Sequence, residues 1–360
     1  MKTLQLLTNQ LSTIPLATSW YLADLGEARG KQELFTKQSP QKLKALREHA
    51  LIESVISSNR IEGVVIDQSR IGTVVFGKAR LRDRDEEEIR GYRNALKLIH
   101  DQAGKLPISA PTILRLHKLS HAGAGDAGQY KEKDGDIIEK YPDGRVRIRF
   151  KTVTAKKTPA FMSDLVELWQ DALVERRIPP LIALAAMNLD FLCIHPFRDG
   201  NGRASRLLLL LKSYQLGFEV GRYISLERLI EENKDRYYET LEQSSQGWHE
   251  GKHDPWPYIN FVLFILKDAY KEFEQRVGQI SSPRGAKAEM VLNAVRNQQG
   301  EFRLTDIERA CPGVGREWIR TLMLNLKQEG ELTCHGKGPA ARWVYQPNPK
   351  LKNRSEGINS

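Results

Sequence analysis

Apolar positions in this chain recur mostly at the three-and-four spacing of amphipathic helices. Leu43, Leu46, Ala50, Leu51, Val55 and Ile56 trace one face of a helix over about 43–63. It stops at Glu62-Gly63, because glycine readily takes the conformation just past a helix end. Ile89, Tyr92, Leu96 and Ile99 give a core face to a second helix, whose charge block is its solvated side. Further helices are predicted over 111–121, Pro159–Leu173, Leu181–Ile194, 202–216, Leu226–Gln243 and Tyr258–Val277. The stretch Leu181–Ile194 is apolar nearly all round and is expected to be buried on most sides. Residues 1–40 read as a mixed N-terminal segment, with Pro15 and Pro40 as breakers.

The period changes in two places. Over 129–158, Val146, Ile148 and Phe150 alternate with Arg145, Arg147 and Arg149 after Pro142-Asp143-Gly144, which predicts a β-hairpin. Ser281-Ser282-Pro283-Arg284-Gly285 reads as a linker ending a helical body of 41–280. Residues 286–346 then carry a helix, a short strand at Glu301–Leu304, a helix over 306–310 capped by Thr305 and a turn at Pro312-Gly313-Val314-Gly315. A second helix (Arg316–Gln328) and two strands (Glu331–Cys334 and Arg342–Tyr345) complete the plan of a winged helix-turn-helix, with Trp318 and Trp343 as core candidates. Residues 347–360 form a tail. The expected class is mainly α: a helical bundle with one hairpin, then a small winged domain.

Composition narrows the function classes. The 360 residues suggest two domains or three. The longest leucine run, Leu207–Leu211, is far below the roughly 20 apolar residues of a membrane span, and the polar-interrupted N-terminus predicts no secretory signal. Cys193, Cys311 and Cys334 lack metal-ligand spacing, so a reducing cytoplasm is expected. Net charge is +10: residues 284–360 hold 13 Lys and Arg against 8 Asp and Glu, the preceding 283 hold 42 against 37. The denser positive charge of the tail favours an anionic partner there.

The chemistry concentrates in Ile194–Leu207, IHPFRDGNGRASRL. Gly200 and Gly202 let backbone N–H groups converge on one point. A helix starting there adds unpaired N–H groups and a positive dipole end, and Arg203 and Arg206 add forked cationic donors. Such a loop suits phosphates. Asp199 beside it would recruit Mg²⁺, and His195 at the lip is suited to take a proton from a hydroxyl.

The segment HPFRDGNGRASR resembles the signature of the Fic (Fido-fold) family, His-x-Phe-x-Asp/Glu-Gly-Asn-Gly-Arg-x-x-Arg, at every position, and the likeness extends over roughly Leu43–Val277. The resemblance implies protein AMPylation: AMP passes from ATP to a Ser, Thr or Tyr hydroxyl of a target protein and pyrophosphate leaves. By that likeness His195 deprotonates the hydroxyl, and Phe197 packs in the core. Asp199 binds Mg²⁺. Gly200, Asn201 and Gly202 cradle the phosphates, with Ala204 and Ser205 in the same turn. Arg203 holds the β phosphate and Arg206 the γ. The hairpin resembles the family's target-docking flap, with Ile148, Phe150, Lys151 and Thr152 as contacts. Tyr237 would line the adenine pocket, with Asn233 a weaker candidate and Tyr238 serving only packing. Ser58-Asn59-Arg60-Ile61-Glu62-Gly63 resembles the family's inhibitory motif: Glu62 would pair with Arg206 and displace the γ phosphate, with Ser58 tethering the helix end before Gly63.

Several alternatives stand beside this reading. The body could sense a nucleotide for a DNA-binding regulator, with Arg316, Arg320, Lys327 and Lys337 on phosphates. The enzyme could use another phosphate-linked donor, or run in reverse as a de-AMPylase. The winged module could bind a protein target instead of DNA. Self-AMPylation and self-association are further partner expectations; a membrane is not one.

Overall fold

The computed structural model describes residues 2–346 apart from 10–12, 39, 65, 68–69, 78–79, 141–142, 280–285, 299, 312–313, 337 and 339–340. The predicted linker Ser281–Gly285, Pro142 of the hairpin turn, Pro312-Gly313, Lys337 and the 347–360 tail therefore lie outside the described residues. Two compact units are distinguished, one drawn from residues 1–66 and 74–278, the other from 67–73 and 279–360.

The larger unit is helical. In chain order it holds α1 (Lys2–Asn9), α2 (Leu16–Gln38), α3 (Pro40–Ile61) and α4 (Ile71–Phe76), whose first residues are grouped with the other unit. There follow α5 (Arg84–Gln102), α6 (Ala110–Ser120), the hairpin strands β1 (Ile137–Lys140) and β2 (Val146–Phe150), α7 (Thr158–Glu175), α8 (Pro180–Ile194) and α9 (Asn201–Gln215). Finally come α10 (Leu226–Glu232), α11 (Lys234–Ser245) and α12 (Trp256–Gln279). Helix α8 is the central post. Every residue from Leu181 to Ile194 is buried, as its all-round apolarity requires, with α1, α7, α9 and α11 packed on it.

Two sequence expectations need correcting here. Residues 1–40 are not a separate segment: α1 docks on α8, where the buried Asp190 carboxylate accepts from the backbone N–H groups of Thr3 (2.9 Å) and Leu4 (3.1 Å) and from Trp248 Nε1 (2.6 Å). Leu16 and Trp20 point outward, which blurs the helical period of α2. Pro40 marks the break between α2 and α3 as expected, and it opens α3, where its missing N–H costs nothing. The helix expected over Leu226–Gln243 is two, because Asn233 leaves helical geometry and turns its Nδ2 onto Leu229 O at 2.9 Å.

The second unit contains α13 (Ala286–Arg296), β3 (Glu301–Phe302), α14 (Leu304–Ala310), α15 (Arg316–Gln328), β4 (Leu332–His335) and β5 (Arg342–Tyr345). Its sheet is antiparallel in the order β3-β5-β4, over a core of Val291, Ile307, Ile319, Met323 and Trp343. Thr305 is not the cap of α14. The helix starts two residues earlier than expected, at Leu304 after Arg303, and the Asp306 carboxylate accepts from Arg303 N at 2.8 Å. Trp318 is not core either, being 40% exposed. No described helix is long and apolar enough to cross a membrane.

Candidate active site

The buried post α8 ends by delivering His195 in a left-handed conformation, φ +52°. Its backbone N–H still reaches Phe191 O at 3.0 Å, so the turn is held by the helix it leaves. Nδ1 lies 3.4 Å from Leu192 O. A carbonyl only accepts, so Nδ1 carries the proton there and Nε2 keeps its lone pair. Burial, then the nearby Lys131 ammonium, push the imidazole down to about 4, leaving it neutral at physiological pH.

After Pro196 the loop is tied to the fold by side chains. Asn201 accepts from Phe197 N (2.9 Å) and donates to Phe197 O (2.8 Å). The Phe197 ring is buried, as expected, and stacks on His117 at 3.7 Å between centroids. His117 Nδ1 accepts from Gly128 N (2.9 Å), so Nε2 carries hydrogen and donates to Asp199 O at 2.9 Å. At Gly200, φ +76°, a Cβ would press on that same ring at 3.2 Å. The loop then opens α9, which has no side-chain N-cap, so the N–H groups of its first turn are left for an outside acceptor.

Glu62 occupies this opening. It follows the last turn of α3, closed by Gly63 at φ +84° and by Val64 N donating to Asn59 O at 3.0 Å. Arg206 Nη2 donates to Glu62 Oε1 at 2.8 Å and to Ser58 O at 2.9 Å, and Nε donates to Ser58 Oγ at 2.9 Å. The guanidinium is nearly inaccessible, 3% against 27% for the Glu62 side chain. Burial is the largest influence and lowers its proton affinity, but Glu62, Tyr92 and Tyr237 together raise it above the usual value. A Cβ at Gly202 would stand 2.2 Å from Glu62 Oε1, so the carboxylate sits in the notch that this glycine leaves. Arg206 Nη1 is buried, lies 3.1 Å from that same Cβ position, and has no hydrogen-bond partner among the described residues.

Arg203, the residue expected to hold the β phosphate, has protein partners in this structure. It is buried, with Nη1 donating to Glu88 and to Asn59 Oδ1 (3.3 Å) and Nη2 donating to His121 Nδ1 (3.1 Å). Its guanidinium is bonded to α3, α5 and the residue after α6, so it braces α9 beneath the loop. Ala204 is buried, and Ser205 Oγ donates back to Gly202 O at 2.8 Å, so neither side chain faces the opening. Asp199 is exposed, 59% at its side chain, with Arg84 Nη2 at 3.8 Å. The described residues contain no cluster of three or more metal-ligating side chains. A hard cation would fit here only through this one carboxylate together with a ligand's own oxygens, the usual coordination of Mg²⁺ beside phosphates.

The two tyrosines expected at the adenine pocket and in packing, Tyr237 and Tyr238, differ in burial, and Tyr237 lines a small cavity with Ser205 and Arg206. Tyr237 is buried against Tyr258 and Phe261, whereas Tyr238 is half-exposed, its hydroxyl pushed up by burial and then by Glu62. Asn233 points into its own backbone rather than toward a pocket. On the hairpin, Ile148 and Lys151 are exposed while Phe150 and Thr152 are buried. Phe150 stacks on His249, which bonds Lys151 O at 2.7 Å, and both Arg147 and Arg149 pair with Glu242. Sequence reasoning missed Glu88, His117, His121 and Lys131; the i, i+4 spacing of the two histidines on a predicted helix was the one visible signal.

Residues 107–211 match the family model described as "Fic/DOC family". Over that stretch the chain is similar to the Fic/DOC family. Its curated relatives include proteins named "Protein adenylyltransferase Fic" from Nematostella vectensis, 26% identical over 242 residues, and from Drosophila melanogaster, 20% identical over 287. These alignments take in 63% and 72% of this chain but 50% and 54% of the relatives, so the chain spans about half their length. Among solved structures, a Fic family protein from Desulfovibrio desulfuricans aligns with TM-score 0.59 at 24% identity, covering 93% of this chain and 98% of its own. Fic-1 from C. elegans aligns with TM-score 0.57 at 20% identity, covering 73% and 74%. The Fic fold is therefore the helical fold of this chain.

Proposed function

We infer that this chain is a protein adenylyltransferase that moves AMP from ATP to a hydroxyl of a target protein and is restrained by its own Glu62. The observation that carries the reading is the juxtaposition of a neutral His195 imidazole with a helix start whose N–H groups and orphaned Arg206 Nη1 face one notch. The family match and the names of the relatives support the class of reaction.

In this reading His195 Nε2 takes the proton as the target hydroxyl forms its bond to the α phosphorus. The bond from that phosphorus to the bridging oxygen breaks, and pyrophosphate leaves. The first turn of α9 holds phosphate oxygens, and Arg206 holds the γ phosphate once Glu62 is gone. Mg²⁺ held by Asp199 and the phosphates would neutralise charge on the leaving group. Positioning and charge stabilisation supply most of the rate. The Arg206–Glu62 pair competes directly with an Arg206–phosphate pair, which is the physical basis of the restraint.

The test is incubation with α-labelled ATP of wild type, Glu62→Gly and His195→Ala. Glu62→Gly is expected to raise self-labelling at least roughly tenfold, the size of one charge-assisted pair. His195→Ala in that background should abolish it. Equal labelling by all three sinks the reading.

A second reading concerns the smaller unit, taken as a winged helix that binds duplex DNA. It rests on the outer face of α15, where Arg320, Thr321, Asn325 and Lys327 are all exposed. Gel shifts at two salt concentrations test it: binding that weakens steeply with salt supports DNA. Absence of a shift leaves protein recruitment as the module's role.

A further inference from the structure

Lys131 is a buried cation that the transfer reading leaves unused. Its backbone N–H donates to Pro196 O at 2.9 Å, immediately beside His195. Its side chain is buried, and Nζ donates to Ile194 O at 3.3 Å and to Thr152 Oγ1 at 2.7 Å. Ile194 is the last residue of α8, and a helix end presents carbonyls without intrahelical partners, where a cation is well suited. Thr152 lies two residues past β2, at the root of the hairpin, and passes its own hydrogen to Gly135 O on the far side of that root. One ammonium thus joins the end of the His195-bearing helix to the base of the hairpin.

We propose that Lys131 is a positioning residue of the transfer site, holding the imidazole of His195 and the hairpin that presents the target hydroxyl in one register. The role rests on the reading of His195 as the base and of the hairpin as the docking strand. Three charged groups bear on His195. Lys131 opposes its protonation, whereas Glu62 after α3 and Asp199 in the loop favour it. Lys131 therefore acts twice, through geometry and through its charge. Its own proton is held less tightly than usual, at about 8, because burial outweighs the neighbouring Asp134 and Asp136.

The experiment uses the full chain carrying Glu62→Gly, α-labelled ATP, and the further changes Lys131→Arg, Lys131→Met and Thr152→Val. Lys131→Met is expected to lower the self-labelling kcat roughly 10- to 100-fold, the scale of a small misplacement at a reacting centre. The KM for ATP should stay within about twofold, since no phosphate contact is removed. Lys131→Arg should recover most of the rate. Thr152→Val should fall between, and adding it to Lys131→Met should cost little more, because both cut one link. In an NMR titration, His195 of the Lys131→Met chain should titrate higher than in the Lys131→Arg chain, which keeps the charge at the same place.

Labelling that depends on His195 but keeps its rate and pH profile in Lys131→Met overturns this role while leaving the transfer reading intact. Labelling that is absent, or that survives His195→Ala, overturns both. If Lys131→Met fails to fold, Thr152→Val decides, since it leaves the ammonium in place; an unchanged kcat in that variant overturns the role.

Discussion

Asn201 uses both ends of its amide on a single neighbour, Phe197, four residues back. That makes its side chain the staple of the loop. Asn201→Ala would leave two buried backbone groups unpaired. It should lower stability by about 2 kcal/mol in urea unfolding, together with a fall in nucleotide affinity. Unfolding at the wild-type midpoint would mean that the His117–Asp199 bond holds the loop without it. At this scale the contiguous motif was legible because one turn of backbone encodes both its glycines and its cations. The partners of Arg203 and the different burial of the two tyrosines were not legible. Arg203 finds Glu88 and His121, more than eighty residues away, and Tyr237 and Tyr238 differ only in which side of α11 meets α12.

Two elements are anchored by single carboxylates. Asp190 caps α1 and holds Trp248 from the middle of α8, fully buried. Asp190→Ala should destabilise the fold by about 3 kcal/mol or more, since charge-assisted bonds vanish and three donors lose their acceptor. A melting temperature within a degree of wild type would contradict the docking of α1. Glu242 holds the hairpin through Arg147 and Arg149, at a half-buried surface where such pairs are weak. Glu242→Gln should raise amide exchange over Val146–Phe150 roughly fivefold, about 1 kcal/mol, read by hydrogen–deuterium exchange. A helix with a clean apolar stripe, such as α5, was legible from periodicity, and α8 from its all-round apolarity. The first two helices were not, because α1 has only two turns and α2 shows exposed Leu16 and Trp20.

Across the whole larger unit, burial pushes four histidines, His49, His100, His117 and His195, from 6.5 down to about 4. Between those values the unfolded chain binds protons that the folded chain refuses. Stability therefore rises with pH through this window and is lost as pH falls from 6.5 toward 4. Urea midpoints should drop markedly from pH 7 to pH 5; equal midpoints would refute the burial of these rings as neutral groups. The division of the chain was visible in its change of pattern near residue 280, since a helical body and a small mixed module differ in period. That residues 1–40 join the body, and that residues 67–73 group with the module, was not visible, because both depend on contacts distant in sequence.

The carboxylate in the Gly202 notch has a further consequence. Glu62 is fixed to the end of α3, so it meets Arg206 as a tethered ligand at a local concentration of millimolar order or higher, independent of how much protein is present. On the proposed function, a diffusing triphosphate would contend with that fixed supply. Restraint would then be graded rather than absolute: its set point would lie in how firmly α3 is seated, and each contact loosened along that helix would dilute the tethered acid and lower the nucleotide level at which the site opens.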